Sequence, residues 1–318
     1  MAVRKPIDSR HHGQSLSTSA ARDAGLTRAQ LRQPGVDHPY HGVNLIERTS
    51  DPMRAHLTVT QRACTDYGAR MLPGQFFAGA TAALLWRAPL PAGFDERPLT
   101  IGVFSPRTPP RARGVRGICV DEGRVRIQTA FGLAIVSPGD AWCQLAGELS
   151  REELVAVGDY LLSGDARDGG YRRPLATLNE LEDAVRRHSR ARGIGKLRWA
   201  LVRVRAGVDS RPESLLRLLL VAAGLPEPLV NDPTPVADGI VLRPDLKLPR
   251  WRVAFEYEGE DHWRDRKQWA RDQQRRELME EAGWKVIRVF AQDLFVAPEA
   301  FLARVRTILA TRAMRAAA

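Results

Sequence analysis

The chain has few cysteines, and those it has are scattered. Cys64, Cys119 and Cys143 are the three among 318 residues, and no two of them form a CxxC pair. Their number and spacing support neither a disulfide framework nor a thiolate zinc site. Sparse, unpaired cysteines suit a reducing compartment, so we expect a cytoplasmic protein.

Long apolar runs are also missing. No hydrophobic stretch approaches the roughly 20 residues that a membrane-spanning helix needs. Residues 1–6 include the basic Arg4 and Lys5, but no apolar segment follows them, which argues against a secretory signal. We therefore expect no membrane partner.

Positive charge is present in excess. The 48 Lys and Arg residues outnumber 37 Asp and Glu residues and give a formal net charge of +11. Such a balance favours a polyanionic partner, most simply DNA, although a solvated basic surface is the alternative. The length is too great for one ordinary core, so we expect an α/β protein of several domains.

The first 50 residues have the rhythm of a degenerate winged helix-turn-helix. Residues 17–24 form a short helical pattern, Gly25 breaks it, and residues 28–31 form a second helix that Pro34-Gly35 stops early. Residues 39–45 would be the wing. A helical hairpin that caps the next domain explains this pattern equally well.

Residues 51–165 predict an α/β middle domain, and residues 166–209 predict linker helices. Residues 118–120 and 125–127 alternate like the two strands of a hairpin. We find no catalytic constellation in this part. The basic residues 186–192 either contact phosphates or form a solvated helix end.

Residues 210–318 predict a C-terminal α/β domain in the order helix, two strands, helix, strand, helix. Residues 240–248 and 251–258 are the two strands, joined by a tight turn at Pro249-Arg250. Such a turn places Asp245 roughly opposite Ala254, with Glu256 one diagonal step away on the same face.

Acidic residues gather around this hairpin. Asp245 and Glu256 are the best ligand pair for Mg²⁺ or Mn²⁺, and Glu213 at the head of the preceding helix is a further acid. Glu258 shares a face with Glu256, and stacked like charges need a cation beside them. His262 could pass a proton or contact phosphate. The alternative is that the acids after the strand decorate an exposed turn.

The helix that follows is basic. Its cations suit contact with a DNA backbone. They are Arg264, Arg266, Lys267, Arg271, Arg275 and Arg276.

Four motifs carry a resemblance. They are Arg243-Pro-Asp245-Leu, Phe255-Glu256-Tyr-Glu258-Gly259-Glu-Asp-His262, Arg271-Asp272-Gln-Gln-Arg275-Arg276 and Ala282-Gly283-Trp284-Lys-Val-Ile-Arg-Val. Together they resemble the PD-(D/E)xK nuclease superfamily, in its branch of very-short-patch-repair endonucleases, and imply a restriction-endonuclease-like fold.

The same resemblance implies residue roles. Asp245 and Glu256 would bind the metal, and Glu213 would assist. The superfamily's lysine, two residues after the strand glutamate, is Glu258 here. The repair-like branch commonly has an acid at this place and a histidine nearby, which His262 matches.

The N-terminal part resembles the AbiEi-type antitoxin family, which joins a winged helix to an α/β domain. The matching stretches are residues 20–31, 41–43, 77–83 and 136–141.

The sequence thus predicts a Mg²⁺-dependent DNA endonuclease or nickase of repair or defence type. Its substrate would be duplex, nicked or mismatched DNA, and a toxin or a repair protein could be a partner. One alternative is a catalytically inactive DNA-binding regulator of the antitoxin type. Another is a protein of this fold that binds a partner and no nucleic acid.

Overall fold

The computed structural model describes residues 5–46, 54, 56–94, 97–164, 173–237, 239–259 and 266–317. For residues 266–270 and 315–317 it describes the helical backbone alone. The described chain is mixed α and β. None of the helices in these ranges combines the length and apolar character needed to cross a membrane.

The helices and strands are numbered in chain order. The helices are α1 Thr18–Asp23, α2 Val59–Gly68, α3 Gly79–Leu85, α4 Pro138–Gln144, α5 Arg151–Ser163, α6 Leu178–Arg187, α7 Ile194–Leu201, α8 Arg211–Ala222, α9 Arg266–Glu281 and α10 Pro298–Ala317. The strands are β1 Ser15–Ser17, β2 Val36–Asp37, β3 Val43–Ile46, β4 Gln75–Phe77, β5 Leu99–Phe104, β6 Val115–Val120, β7 Ile127–Ala130, β8 Leu133–Val136, β9 Leu229–Val230, β10 Thr234–Ala237, β11 Ile240–Leu242, β12 Leu246–Leu248, β13 Val253–Glu258 and β14 Lys285–Phe290.

The chain forms two compact units. The N-terminal unit contains residues 1–149 and 178–198, and the C-terminal unit contains residues 150–177 and 199–318. These divisions differ from the expected domain bounds. Helix α5 was expected in the middle domain but packs against α8 in the C-terminal unit. Helix α6 was expected in a linker but packs against α4 in the N-terminal unit.

The N-terminal unit begins with α1 and a three-stranded sheet in the order β1-β3-β2. Ser17 caps α1 by accepting a hydrogen bond from the backbone N–H of Ala20 at 3.1 Å. The expected second helix is wrong, because the chain makes only the 3₁₀ turn Gln30–Arg32 there. Thr27 and Gln30 exchange side-chain and backbone hydrogen bonds, which stabilises a single turn.

The N-terminal unit also contains a five-stranded sheet in the order β6-β5-β4-β8-β7. The expected hairpin of residues 118–120 with 125–127 is wrong. Strand β6 pairs in parallel with β5, whereas β7 pairs antiparallel with β8, at the other edge of the sheet. Alternation in the sequence identified strand character here but did not identify the partner.

The C-terminal unit has a four-stranded sheet in the order β14-β13-β12-β9. Strands β12 and β13 are antiparallel, and β13 and β14 are parallel. On one face, Phe255 and its neighbours pack with α8 and α10 in a single hydrophobic core. On the other face, Ala254 and Val286 pack against Met279 of α9.

A buried ion pair lies beside α8 in the same unit. The guanidinium of Arg217 contacts the carboxylate of Asp159 on α5, with 3.0 Å between Nη2 and Oδ2. Both side chains are 1% exposed. Asp159 also accepts hydrogen bonds from the hydroxyl of Ser214 and the backbone N–H of Arg205. These partners satisfy a charge that burial alone would make costly.

Candidate functional site

The two acids at the centre of the site come from adjacent antiparallel strands. Leu246 of β12 lies opposite Phe255 of β13. Asp245 directly precedes β12, and this register, continued by one residue, would bring it opposite Glu256. Directly opposed residues of an antiparallel pair lie on one face of the sheet, with their Cβ atoms about 5 Å apart. The side chains of Asp245 and Glu256 therefore start from one face and close together.

This register differs from the expected one. Leu248 pairs with Val253, because the 3₁₀ turn Pro249–Trp251 lengthens the connection between the strands. Arg252 then adopts left-handed backbone, with φ of 50°, before the second strand starts. Ala254 pairs with Lys247, so the expected position of Asp245 opposite Ala254 is wrong.

Asp245 combines a backbone hydrogen bond with a raised pKa. One of its carboxylate oxygens accepts a hydrogen bond from the backbone N–H of Tyr257 at 2.7 Å. Burial raises the pKa of Asp245 well above its usual range, and the nearby charge of Glu213 raises it further. Glu256 and Asp209 act in the same direction, while the Tyr257 hydrogen bond opposes them. Several carboxylates thus converge on Asp245.

Glu213 reaches the site from the first turn of α8. Its carboxylate accepts hydrogen bonds from the backbone N–H of Asp209 at 2.9 Å and the hydroxyl of Ser210 at 2.8 Å. The side-chain amide of Asn231 lies 3.5 Å away. Burial raises the pKa of Glu213 to about 7, and these hydrogen bonds only partly offset that effect. Glu213 therefore exchanges its proton near neutral pH.

Glu256 is mostly covered, with 19% of its side chain exposed. Burial raises its pKa; Arg275 on α9 opposes this, whereas Glu258 and Asp272 add to it. The distance from Arg275 Nη2 to Glu256 Oε1 is 3.8 Å, and the same guanidinium donates to the backbone carbonyl of Arg243. An arginine expected to contact DNA is thus oriented toward the acidic site.

Glu258 has its own cation. The Nε–H of Arg288 on β14 donates to its carboxylate at 2.8 Å. The two side chains are 18% and 28% exposed. The positive charge that we expected beside Glu258 is therefore available from the protein itself.

Lys247, two residues after Asp245, is engaged within the fold. This residue is buried, and its ammonium group donates to the hydroxyl of Thr234 at 2.8 Å and to the carbonyl of Pro233 at 3.1 Å. It also pairs with Asp232 at 2.6 Å. Lys247 therefore fixes residues 232–234 against the sheet.

Several expected site residues are not described. His262 and Arg264 lie outside the described residues, and Arg266 and Lys267 have only their helical backbone described. Arg271 is exposed on α9. Arg276 donates within its own helix to Gln273. Of the expected basic surface, the structure thus presents Arg271 most openly.

Asp209 and Asn231 also belong to the site and were missed from the sequence. Asp209 raises the pKa of both Glu213 and Asp245. A signal for the α8 end of this group was present, because Ser210 and Glu213 have the S-x-x-E spacing of a capping box. Asn231 gave no such signal, since it reaches the site only through the pairing of β9 with β12.

The carboxylates of Asp245 and Glu256 could bind a hard divalent cation in a way that is common for Mg²⁺. Within the described part of the chain, no group of three or more His, Cys, Asp or Glu side chains is spaced to hold a metal ion. Mg²⁺, however, commonly binds through one or two carboxylates and keeps several waters. Asp245 and Glu256 are suited to that mode, because each is a half-buried acid whose pKa is raised by desolvation and by neighbouring carboxylates.

Comparison with known proteins returns few relatives. The chain matches no protein-family model, and no solved structure is significantly similar to it. Two uncharacterized proteins of Mycobacterium tuberculosis, from two strains, are each 28% identical to it over 233 residues. The match covers 72% of this chain and 82% of each relative.

Proposed function

We propose that the C-terminal unit is a Mg²⁺-dependent DNA endonuclease or nickase of repair or defence type. The observation that carries the proposal is the hydrogen bond that ties half-buried Asp245 to the strand of Glu256, together with the negative charge of Glu213 and Glu256, which raises the pKa of Asp245. Like charges placed together in a buried site are unfavourable unless a cation joins them or a proton neutralises one of them. A divalent cation would relieve this repulsion, so a site of this kind favours binding one.

The cation would be held by Asp245 and Glu256. Bound there, Mg²⁺ or Mn²⁺ would supply polarisation of a phosphoryl oxygen and a more acidic water. The protein itself would orient the carboxylates that bind the ion and would balance their charge. The backbone N–H of Tyr257 fixes one oxygen of Asp245, which leaves the other oxygen of this carboxylate for the ion.

We assign proton transfer to Glu213. Its pKa of about 7 lets it hold or release a proton near neutral pH. Loss of that proton adds negative charge beside Asp245, so cation binding and deprotonation of Glu213 would be coupled. The hydrogen bonds from Asp209 and Ser210 hold the Glu213 carboxylate in place through either state.

The substrate class follows from charge. The net charge of +11 favours a polyanion, and Arg271 and Arg275 lie on the helix that covers the acidic face. Arg275 reaches both this face and the carbonyl of Arg243. It could exchange the Glu256 carboxylate for a backbone phosphate once a cation occupies the site. The role of His262 in proton transfer stays a prediction.

A plasmid-nicking assay tests the proposal. Supercoiled plasmid is incubated with Mg²⁺ or Mn²⁺, and with EDTA, using wild type, Asp245→Asn and Glu281→Gln. The last variant removes one exposed acid from α9 and serves as the charge-matched control. We expect ion-dependent nicking by wild type and the control, and background nicking by Asp245→Asn. Equal nicking by all three proteins, or nicking in EDTA, would contradict the assignment.

A catalytically inactive DNA-binding regulator of the antitoxin type is the second candidate. It is favoured by the engagement of Glu258 with Arg288 and of Lys247 with Thr234, which leaves neither residue free to act on a substrate. The same assay separates the two functions. DNA binding that weakens as the salt concentration rises, with no nicking in the presence of either ion, would support the function of a regulator.

A further inference from the structure

A polar pocket of about 470 Å³ lies within the N-terminal unit, apart from the acidic site. It is bounded by strand β6, the ends of α3 and α4, and the loop after α6. The volume is in the range of small-molecule sites, about 300–1,000 Å³. Four arginines contribute to its lining: Arg116, Arg124, Arg190 and Arg192.

Two of these arginines have acidic partners, although Glu148 is shared with Arg97. Arg116 contacts Glu148 at 3.4 Å, and Arg124 contacts Asp121 at 3.7 Å. Both acids also line the pocket. Arg190 and Arg192 are exposed, and neither has an ion-pair or hydrogen-bond partner among the residues that the structure describes. The pocket therefore has an excess of two positive charges, both carried by one short loop.

The start of that loop is fixed by buried contacts. Nε2 of His188, a residue that lines the pocket, lies 3.2 Å from Oδ1 of Asp140, and both side chains are buried. Asp140 also accepts hydrogen bonds from Arg187 and from the hydroxyl of Ser137. Burial raises the pKa of Asp140, but these hydrogen bonds outweigh burial and hold its pKa below the usual range. An ionised Asp140 thus anchors the loop.

The end of the loop is fixed by a close backbone approach. Gly193 has φ of +87°, and a Cβ at this position would lie 2.3 Å from the carbonyl oxygen of Ala146. Only glycine fits both constraints. Lys196 then donates to the carbonyl of Leu149 at 2.7 Å. Arg190 and Arg192 are therefore held between two anchored positions, which lowers the ordering cost of binding a ligand there.

Part of the pocket wall is apolar. Ile118 and Val120 of β6 and Ala191 of the loop contribute to it. A bare inorganic anion would leave these side chains without a contact. A ligand with both an anionic group and an organic body would contact both kinds of wall.

We propose that this pocket binds a terminal phosphate monoester attached to a nucleotide-sized organic group. A phosphate dianion matches the two unpaired guanidinium groups, whose planar donors suit phosphate oxygens. Such a group occurs on a free nucleotide and at the 5′ end of a nucleic-acid strand. The proposal does not depend on nuclease activity, because the pocket and the acidic site lie in different units.

Calorimetry on the full chain tests it with two pairs of probes. The first pair is adenosine monophosphate and adenosine, and the second is a short oligonucleotide with a 5′-phosphate and the same strand with a 5′-hydroxyl. We expect a phosphorylated probe to bind at least about tenfold more tightly than its unphosphorylated partner, which is 1.4 kcal/mol. A preference for the nucleotide or for the strand identifies the source of the phosphate.

Two double variants locate the site. Arg190→Ala with Arg192→Ala should abolish the phosphate-dependent gain, and Arg190→Lys with Arg192→Lys should keep part of it. Arg111→Ala with Arg113→Ala removes the same charge from exposed positions outside the pocket and should change nothing. Unchanged melting temperatures will show that the variants fold. The proposal is overturned if neither phosphorylated probe binds at millimolar concentration, or if the 190/192 alanine variant binds like wild type.

Discussion

Glu258 and Arg288 form a hydrogen-bonded ion pair across the parallel strands β13 and β14, with 2.8 Å between Oε1 and Nε. Glu258 occupies the position at which the PD-(D/E)xK pattern has lysine. Its charge is balanced by Arg288 on the neighbouring strand. The pair therefore stabilises the sheet at the place where a catalytic cation was expected.

The first prediction follows from this pair. Glu258→Gln should lower the free energy of unfolding by about 1 kcal/mol, because it removes a charge-assisted hydrogen bond that solvent partly screens. Its affinity for Mn²⁺ should stay within about twofold of wild type. Urea unfolding and calorimetry measure the two quantities. A large loss of ion affinity would assign Glu258 to the metal site instead.

The second prediction concerns Asp245. Asp245→Asn removes a charge that burial and Glu213 disfavour, so the variant without metal should be as stable as wild type or more stable. In wild type, Mn²⁺ at about 100 times its dissociation constant should add about 2.7 kcal/mol of stability. The variant should show no such gain. Thermal melts with and without the ion compare them, with Glu281→Gln as control. Equal gains in both proteins would place the ion elsewhere.

The third prediction is a pH dependence. The pKa of Glu213 is raised to about 7 in the folded chain from 4.5. The folded state therefore binds the proton more tightly than the unfolded state, and stability falls as pH rises from about 4.5 to about 7. The full cost, on the order of 3 kcal/mol, should be present above that range.

The test is the difference between wild type and Glu213→Gln in melting temperature across this pH range, without divalent ions. The variant should lose this part of the pH dependence. Its melting temperature should therefore rise relative to that of wild type as pH increases. Added Mg²⁺ should reduce the difference. Parallel curves for the two proteins would show that Glu213 does not titrate in this window.

The fourth prediction concerns the ion pair of Asp159 and Arg217. Arg217→Met should destabilise the chain by about 3–5 kcal/mol, because it leaves a buried carboxylate without its cation. The double variant Asp159→Leu with Arg217→Met should recover much of that loss, since apolar side chains can replace a buried pair. Denaturant unfolding of the four proteins of this cycle gives the coupling energy. A double variant as unstable as the sum of the single ones would contradict the prediction.

The fifth prediction concerns DNA. Arg271→Ala should weaken duplex binding and reduce the slope of log K against log salt by about one unit, because one phosphate contact is lost. Arg312→Ala is the contrast, since Arg312 donates to the carbonyls of Trp251 and Arg252 within the fold. It should affect stability and leave the slope unchanged. An unchanged slope for Arg271→Ala would remove this helix face from the DNA-binding surface.

Much of the C-terminal unit could be predicted from local pattern. Ser210 and Pro212 mark the start of α8, and the apolar run through Phe255 marks a central strand. The register could not be predicted, because it depends on the left-handed backbone of Arg252, a residue without a local signal for it. The connection of residues 249–252, longer than the expected two-residue turn, shifts the pairing by two positions, so that Lys247 and not Asp245 lies opposite Ala254.

Long-range partners were the other limit. The sequence predicted that β6 and β7 pair with each other, because they are close along the chain. In the structure β6 pairs with β5, and β7 pairs with β8. The contact between His188 and Asp140 spans 48 positions, so no window of the sequence reveals it. The basic loop after α6 was recognisable by composition, whereas the pocket that it closes was not.

The two units are interleaved along the chain, which passes from one to the other after residues 149, 177 and 198. A fragment that starts at residue 210 would lack α5 and with it Asp159, one of the two carboxylates that pair with Arg217. During synthesis, the N-terminal unit is incomplete until residue 198 has emerged from the ribosome. Helix α5 has emerged by then, but α8, against which it packs in the folded chain, has not. Neither unit can therefore be excised as one continuous piece of sequence.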